Sequence, residues 1–400
     1  MMAMSVCGIV LTAIGSTLDS IAENCGTTAT SVGSVFVARG IGAIVGAFAS
    51  AKIYAPPTKG NNVMIGTMAI LTGLLLYLPF VTDIYSLHAV FAGLGFCTAV
   101  TDTGCQIMTR KTHESQAGPW LGANTVVFGV AGALVPVVEL ITTDLLSMYL
   151  IFSTVTVMTT VLLLSLPHPE SDEVKPYLPM KVVKKSKDTK TVDSRIETYY
   201  INEAVIGSTI FWLIGGKVLC SSYVEDYVAD SGVVSTSDEA WSLMVVWIFI
   251  ALGRFVGLFD LIRLNKMGSK GINLLYPNTY LWMGCGALGG ALIFFWQNSS
   301  TAFWASLVLY GFGNGPCVGY MYDLNNRLTA STEKGMSVVM LGLNLGASVV
   351  PYVATVVWDY TDYSYHIFPL MIFVTMIIPI PLMASTKLIN DIDAISKESY

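Results

Sequence analysis

Long apolar blocks alternate with short polar connections along almost the whole chain. The blocks fall at about 3–22, 30–53, 63–82, 85–108, 119–141, 145–166, 202–223, 240–262, 276–296, 302–325, 335–358 and 364–385. They are continuous, without the period-two alternation of a half-buried strand. A helix needs about 20 such residues to cross a bilayer. The pattern therefore predicts an all-α membrane protein with twelve transmembrane helices, termed segments 1 to 12 below. Composition agrees: of 400 residues, 54% are hydrophobic and only 12% charged, with a mean hydropathy of +0.64. A soluble domain carries about 25% charged residues, so this chain lacks the polar surface to coat a soluble globule.

Basic residues give the orientation. With the N-terminus in the cytosol, the inner loops and the C-terminal tail hold 18 of the 21 lysines and arginines. The other three, Arg39, Lys217 and Arg254, lie within apolar blocks. The outer loop after segment 7 is acidic, with Glu225, Asp226, Asp230, Asp238 and Glu239. Both termini are thus expected in the cytosol. Segment 1 starts almost at Met1, and no cleavage pattern sets it apart as a signal peptide.

One connection is long and polar. Residues 167–201 contain four prolines and seven basic residues and divide the segments six and six. The expected organisation is an N-terminal half over 1–166, a cytosolic linker over 167–201, a C-terminal half over 202–386 and a cytosolic tail over 387–400. The linker reads as a solvated tether whose cations can meet anionic lipid.

An internal repeat supports two halves. Segment 2 reads "ARGIGAIVGAF" and segment 8 "LGRFVGLFD"; Arg39 and Arg254 stand 215 positions apart. Segment 4 has "AGLGF" and segment 10 "YGFGN", with Gly93 and Gly311 218 apart. Segment 5 ends "GVAGALVP" and segment 11 "LNLGASVVP", with Pro136 and Pro351 215 apart. Two parallel six-helix repeats are a transporter architecture, with the solute site at the bilayer midplane between them.

The stretch "TDTGCQIMTRKTHESQAGPWLGANTVVFGVAGALVP" (residues 101–136) resembles the segment 4 to segment 5 region of the major facilitator superfamily, in its sodium-dependent glucose transporter-like and fucose:proton symporter-like branch. "GSTLDSIA", "FVARGIG", "YGFGNG" and "NKMGSKGINLL", a worn form of the superfamily's basic loop signature, add to the resemblance. It implies a secondary transporter of a sugar or similar small polyhydroxy solute, working by alternating access, with sodium or a proton as the coupling ion. It also implies an acid in segment 7, where this chain has Lys217 in "GGK", and a Glu in segment 11, where it has Ala347 in "GAS". Both departures remove negative charge, and they open the alternative of an organic-anion transporter. A non-transporting sensor or trafficking protein on the same fold is a third reading.

Intramembrane charge marks the candidate site, because a charged side chain at the bilayer centre costs at least about 2.5–3.5 kcal/mol. Asp102 lies roughly 20–25 Å along segment 4 from the outer surface. It forms a structural ion pair with Arg39 or lines the cavity. Gln106, one turn on, and Asn124 in segment 5 can read hydroxyls or hold helices together, as can their counterparts Asn314 and Asn344. Asp19 lines the cavity or sits at the interface. Trp212 and Trp247 can stack on a sugar ring. Lys217 snorkels toward Glu225 and Asp226 or points inward, and Arg254 completes the cationic set. Asp260 and Asp323, near the cytosolic ends, suit gating salt bridges or simple solvation. No metal spacing, phosphate loop or nucleophile motif is present, so neither an enzyme nor a resident cofactor is expected, nor a nucleic-acid partner. The seven cysteines fall mostly within helices and are expected to be free. The expected protein is a monomer in the plasma membrane.

Overall fold

The computed structural model describes residues 1–26, 33–54, 60–113, 116–142, 144–165, 189–329, 333–361 and 363–398. These residues form α1 (Met2–Ser16), α2 (Leu18–Asn24), α3 (Val35–Ile53), α4 (Gly60–Tyr77), α5 (Ile84–His113), α6 (Ala117–Ile141), α7 (Leu145–Ser165), α8 (Thr189–Ser231), α9 (Glu239–Lys266), α10 (Ser269–Phe295), α11 (Ser300–Leu328), α12 (Glu333–Tyr360), α13 (Ile367–Ile377) and α14 (Pro379–Glu398). Among the described residues, nine helices are long and apolar enough to cross a membrane.

The fourteen helices make twelve spans. Segment 1 is α1 and α2, interrupted at Thr17, whose hydroxyl bonds back to the Ala13 carbonyl at 2.6 Å and meets the Tyr149 hydroxyl at 3.0 Å. Segment 12 is α13 and α14, separated at Ile378 immediately before Pro379, where the missing N–H interrupts the hydrogen-bond ladder. α8 is longer than segment 7 in both directions. It begins at Thr189, inside the stretch expected to be linker. Residues 167–188 of that stretch lie outside the described residues, as do the side chains of the tail from 391 onward.

The packing is a repeat. α1 packs on α6, α3 on α5 and α4 on α7; in the second half α8 packs on α12, α9 on α11 and α10 on α13. Each of these pairs matches its partner six spans later. The halves meet through α3 with α12 and α6 with α9, again a symmetric pair, and through α1 with α8.

Small residues set how close the helices come. On α3, a Cβ at Gly42 would lie 1.9 Å from the Ala92 carbonyl oxygen, and one at Gly46 2.7 Å from that of Phe96. The opposite face of α3 exposes Ile41, Val45 and Phe48, suited to lipid. α9 repeats the device: Gly253 meets the Phe312 carbonyl and Gly257 meets Pro316. The packing therefore matches Gly42 with Gly253, not with Gly257. The two Arg-x-x-Gly motifs are offset by one helical turn in the three-dimensional repeat, so Arg39 and Arg254 are not true equivalents. The spacing of 215 read along the sequence is off by that turn, since i and i+4 share a face.

Candidate functional site

A cavity lies between the halves. α1, α3, α5 and α6 line it from the first half and α8, α9, α11 and α12 from the second. Its polar wall comprises Arg39, Thr98, Asp102, Thr125, Arg254, Tyr322 and Asn344. Most of the remainder is aliphatic or aromatic, including Met4, Leu11, Phe128, Ile214 and Leu343.

Asp102 is 5% exposed, and its Oδ1 accepts a hydrogen bond from Gln106 Nε2 at 3.3 Å. Arg39 is 3% exposed, and its Nε and Nη1 have no hydrogen-bond partner among the described residues. Both line the cavity, but among the described residues they form no ion pair. The Cys7 thiol of α1 is within electrostatic range of both. The structural ion pair proposed between α3 and α5 is thus not made.

Arg254 is held from both halves. Its Nη1 donates to the Thr125 carbonyl of α6 at 2.6 Å and its Nε to the Gly315 carbonyl of α11 at 3.3 Å. The guanidinium carbon sits 5.0 Å from the Phe128 ring centroid. A Cβ at Gly129 would come within 2.8 Å of the Arg254 Cδ, so that glycine makes room for the arm. No carboxylate pairs with Arg254 among the described residues. This environment suits a fixed, delocalised cation, because carbonyl dipoles and a ring face bind it without neutralising it.

Lys217 does not snorkel. It is 1% exposed, and its Nζ has no hydrogen-bond partner among the described residues. It does not line the cavity, although Ile214 one turn before it does, and the groups within electrostatic range of it are Arg254 and Cys317.

The neutral candidates divide. Asn344 lines the cavity, with its Nδ2 donating to the Met340 carbonyl at 2.8 Å. Asn124 instead donates to Thr109 Oγ1 at 2.9 Å, and Asn314 to the Leu213 carbonyl and the Tyr310 hydroxyl, each at 3.1 Å. Both are spent on helix packing. Gln106 is fully buried behind Asp102. Trp212 packs edge-on against Phe211, and Trp247 lies against the Gly132 position; neither lines the cavity. The side chain of Asp19 lies outside the described residues.

The expected gating acids bond within their own half. Asp260 pairs with Arg263 at 2.5 Å and accepts from Tyr320 at 2.5 Å and Asn278 at 2.6 Å. Asp323 pairs with Arg327 at 2.8 Å, although its carboxylate also rests over Gly118 of the first half. Thr98, Thr125, Phe128 and Tyr322 were not legible as site residues. Thr98 alone carried a signal, since it stands one turn before Asp102 on the same face. Arg110, expected in an inner loop, is 8% exposed, with three guanidinium nitrogens unpartnered among the described residues. The seven cysteines are free, as expected.

The comparisons with known proteins agree with this geometry. Residues 1–351 match the family model of the Major Facilitator Superfamily. The chain belongs to that superfamily. It is therefore a multi-pass membrane protein of a family of transporters, not enzymes. It is similar to the Sodium-dependent glucose transporter 1 of Xenopus laevis, 21% identical over 366 residues that cover 84% of this chain and 71% of the relative. Among solved structures it is similar to FucP, a superfamily transporter in the outward conformation, with a TM-score of 0.66, 13% identity and coverage of 96% of this chain and 98% of the other. It is also similar to the human organic anion transporter MFSD10 (TETRAN), with a TM-score of 0.68, 11% identity and 96% of each chain covered. At these identities the two structures establish the shared fold.

Proposed function

We propose that this chain is a secondary transporter that moves a small organic anion with an apolar body, by alternating access of the cavity between its halves. One observation carries the reading: Arg39 and Arg254 both face the cavity, and neither is paired with a carboxylate among the described residues. Two desolvated cations against a single acid leave a site that an anionic group completes. The aliphatic and aromatic walls favour a solute with a carboxylate or sulfonate at one end and a hydrocarbon or aromatic body. The fold neighbour that is an organic anion transporter accords with this. The one-sided basic loops support both termini in the cytosol, and we place the protein in the plasma membrane as a monomer.

A polyhydroxy solute is the second reading. Asp102, Thr98 and Asn344 are together on the cavity wall, and these groups suit sugar hydroxyls. The glucose-transporting relative favours it. Against it, Gln106 and Asn124 do not line the cavity, Asn124 being bonded to Thr109, and among the described residues no tryptophan lines it.

Asp102→Asn separates the two. At an effective dielectric constant of about 20, a carboxylate about 8 Å from a bound anion repels it by about 2 kcal/mol. For an anion, removing that charge is expected to lower KM on the order of tenfold. For a sugar, the same change removes an acceptor and lowers uptake. Proteoliposomes given labelled benzenesulfonate, benzoate, glucose and fucose decide between them. Uptake of the sugars alone, lost in Asp102→Asn, would overturn the anion reading.

A further inference from the structure

Lys217 is a buried cation within a membrane span that does not line the cavity. The residue is 1% exposed and its amine is unpartnered among the described residues; the charged side chain within electrostatic range of it is Arg254, not an acid. The titratable groups acting on it are Arg254 from α9 and Cys317 from α11. Of the other helices packed against α8, α1, α12, α13 and α14 bring none to it among the described residues. Across the cavity stand Arg39 of α3 and Asp102 of α5, and neither acts on it.

Two positive charges within electrostatic range of each other and with no counter-ion are expensive away from water. A guanidinium cannot escape by releasing its proton, but an amine can. Lys217 is therefore the member of the pair whose charge is free to change, and the occupant of the cavity is what changes its surroundings. An anionic group arriving at Arg254 supplies the missing negative charge for both.

We infer that Lys217 is a proton-binding site whose occupancy is linked to that of the solute, so that one proton travels on Nζ with each organic anion. This rests on the organic-anion reading above. The balance is simple. A proton from the outer water adds to the amine lone pair as the anion docks at Arg254. The cation pair with its anion is then close to that of Arg254 alone in net charge. After the cavity opens to the other side, the anion leaves and the ammonium returns the proton to water there. By reciprocity, the proton must favour the anion as much as the anion favours the proton. The lysine thus makes solute accumulation depend on a pH gradient without any carboxylate serving as carrier.

The probe is benzenesulfonate, a strong acid that cannot itself carry a proton across. Wild-type protein is reconstituted in vesicles holding a trapped pH dye, with potassium and valinomycin clamping the membrane potential at zero. Protein-free vesicles are the control. Adding benzenesulfonate outside is expected to acidify the lumen. A pH one unit lower outside should sustain about tenfold accumulation, since one proton per solute transmits one tenfold gradient. Lys217→Arg keeps a charge that cannot be shed. It is expected to move the sulfonate with no acidification and no accumulation on the pH gradient. Lys217→Met serves as a second uncoupled variant should the arginine not fit. Benzenesulfonate entry without acidification in wild-type protein, or wild-type acidification retained in both variants, would overturn the inference while leaving the anion reading intact. Failure of wild-type protein to move any organic anion would overturn that reading as well, and is a separate result.

Discussion

Arg254→Lys is expected to reduce initial uptake of benzenesulfonate on the order of a hundredfold. The arginine does three things at once: it donates to the Thr125 carbonyl, donates to the Gly315 carbonyl and lies over the Phe128 ring. The two carbonyls belong to different halves, so the guanidinium is part of the seam as well as part of the cavity wall. A lysine has one compact donor centre and no flat face. It can keep the charge, but not both bonds and the stack. Removing one partner of a buried hydrogen-bonded charge costs about 2–5 kcal/mol, and 2.8 kcal/mol is about a hundredfold. Arg254→Gln should be worse for uptake, because it also removes the cation that meets the anion. Melting of the purified protein should fall modestly in both. A variant with wild-type KM and rate would show that the solute does not use Arg254, and would leave Arg39 as the cation for it among the described cavity-lining residues.

The depth of each charge was legible in the sequence, but its direction was not. An apolar block says that a residue is within the bilayer, and the cost of charge there says that it must face protein or water. This put Arg39, Asp102 and Arg254 against protein or water without choosing between them, and the structure has all three on the cavity wall. Rotation about the helix axis is settled by neighbouring helices, which is why Gln106 and Asn124 turned out to be engaged elsewhere while Asn344 reached the cavity. The Arg39–Asp102 pair failed for the same reason: an arm long enough to bridge two depths does not make two side chains point at each other. Lys217 was expected either at the surface or in the cavity, and it lies in neither place. It is absent from the cavity lining although Ile214, one turn earlier on the same helix, is part of it, and a rotation of that size is not encoded in any local pattern.

The organisation into two halves was more legible because it rests on features that act locally. Proline ends or bends a helix wherever it falls, and Pro136 and Pro351 lie inside matching helices, α6 and α12. Glycine patterns showed which segments pack closely. They did not show the register, because Gly42, Gly46, Gly253 and Gly257 repeat every four residues. A shift of one turn leaves such a pattern almost unchanged, and only the packing on α5 and α11 distinguishes the alternatives.

Those glycines carry the largest expected effect on stability. Gly42→Leu is expected to abolish recovery of folded protein. Even the first added atom would lie 1.9 Å from the Ala92 carbonyl oxygen and 2.6 Å from its carbon. Both are backbone atoms of α5, which cannot rotate aside as a side-chain tip does. The helices must separate, and α3 and α5 form one of the most extensive contacts within the first half. Overpacking in a core typically costs about 1–3 kcal/mol, and more when backbone must move, against a total stability of about 5–15 kcal/mol for a native protein. Separation would also uncover Arg39, whose own carbonyl is packed against Gly95, and so would spoil the cavity from the same contact. Gly42→Ala should be destabilising in the same direction and smaller. Gly73 is the control: it is also within a helix, but nothing lies within 4 Å of its added Cβ. There Gly73→Ala should raise the melting temperature slightly, since alanine favours a helix over glycine by about 0.5–1 kcal/mol. Size-exclusion profiles and thermal melts in detergent give the comparison. A monodisperse Gly42→Leu protein that melts with wild type would mean that α3 and α5 do not meet at this register.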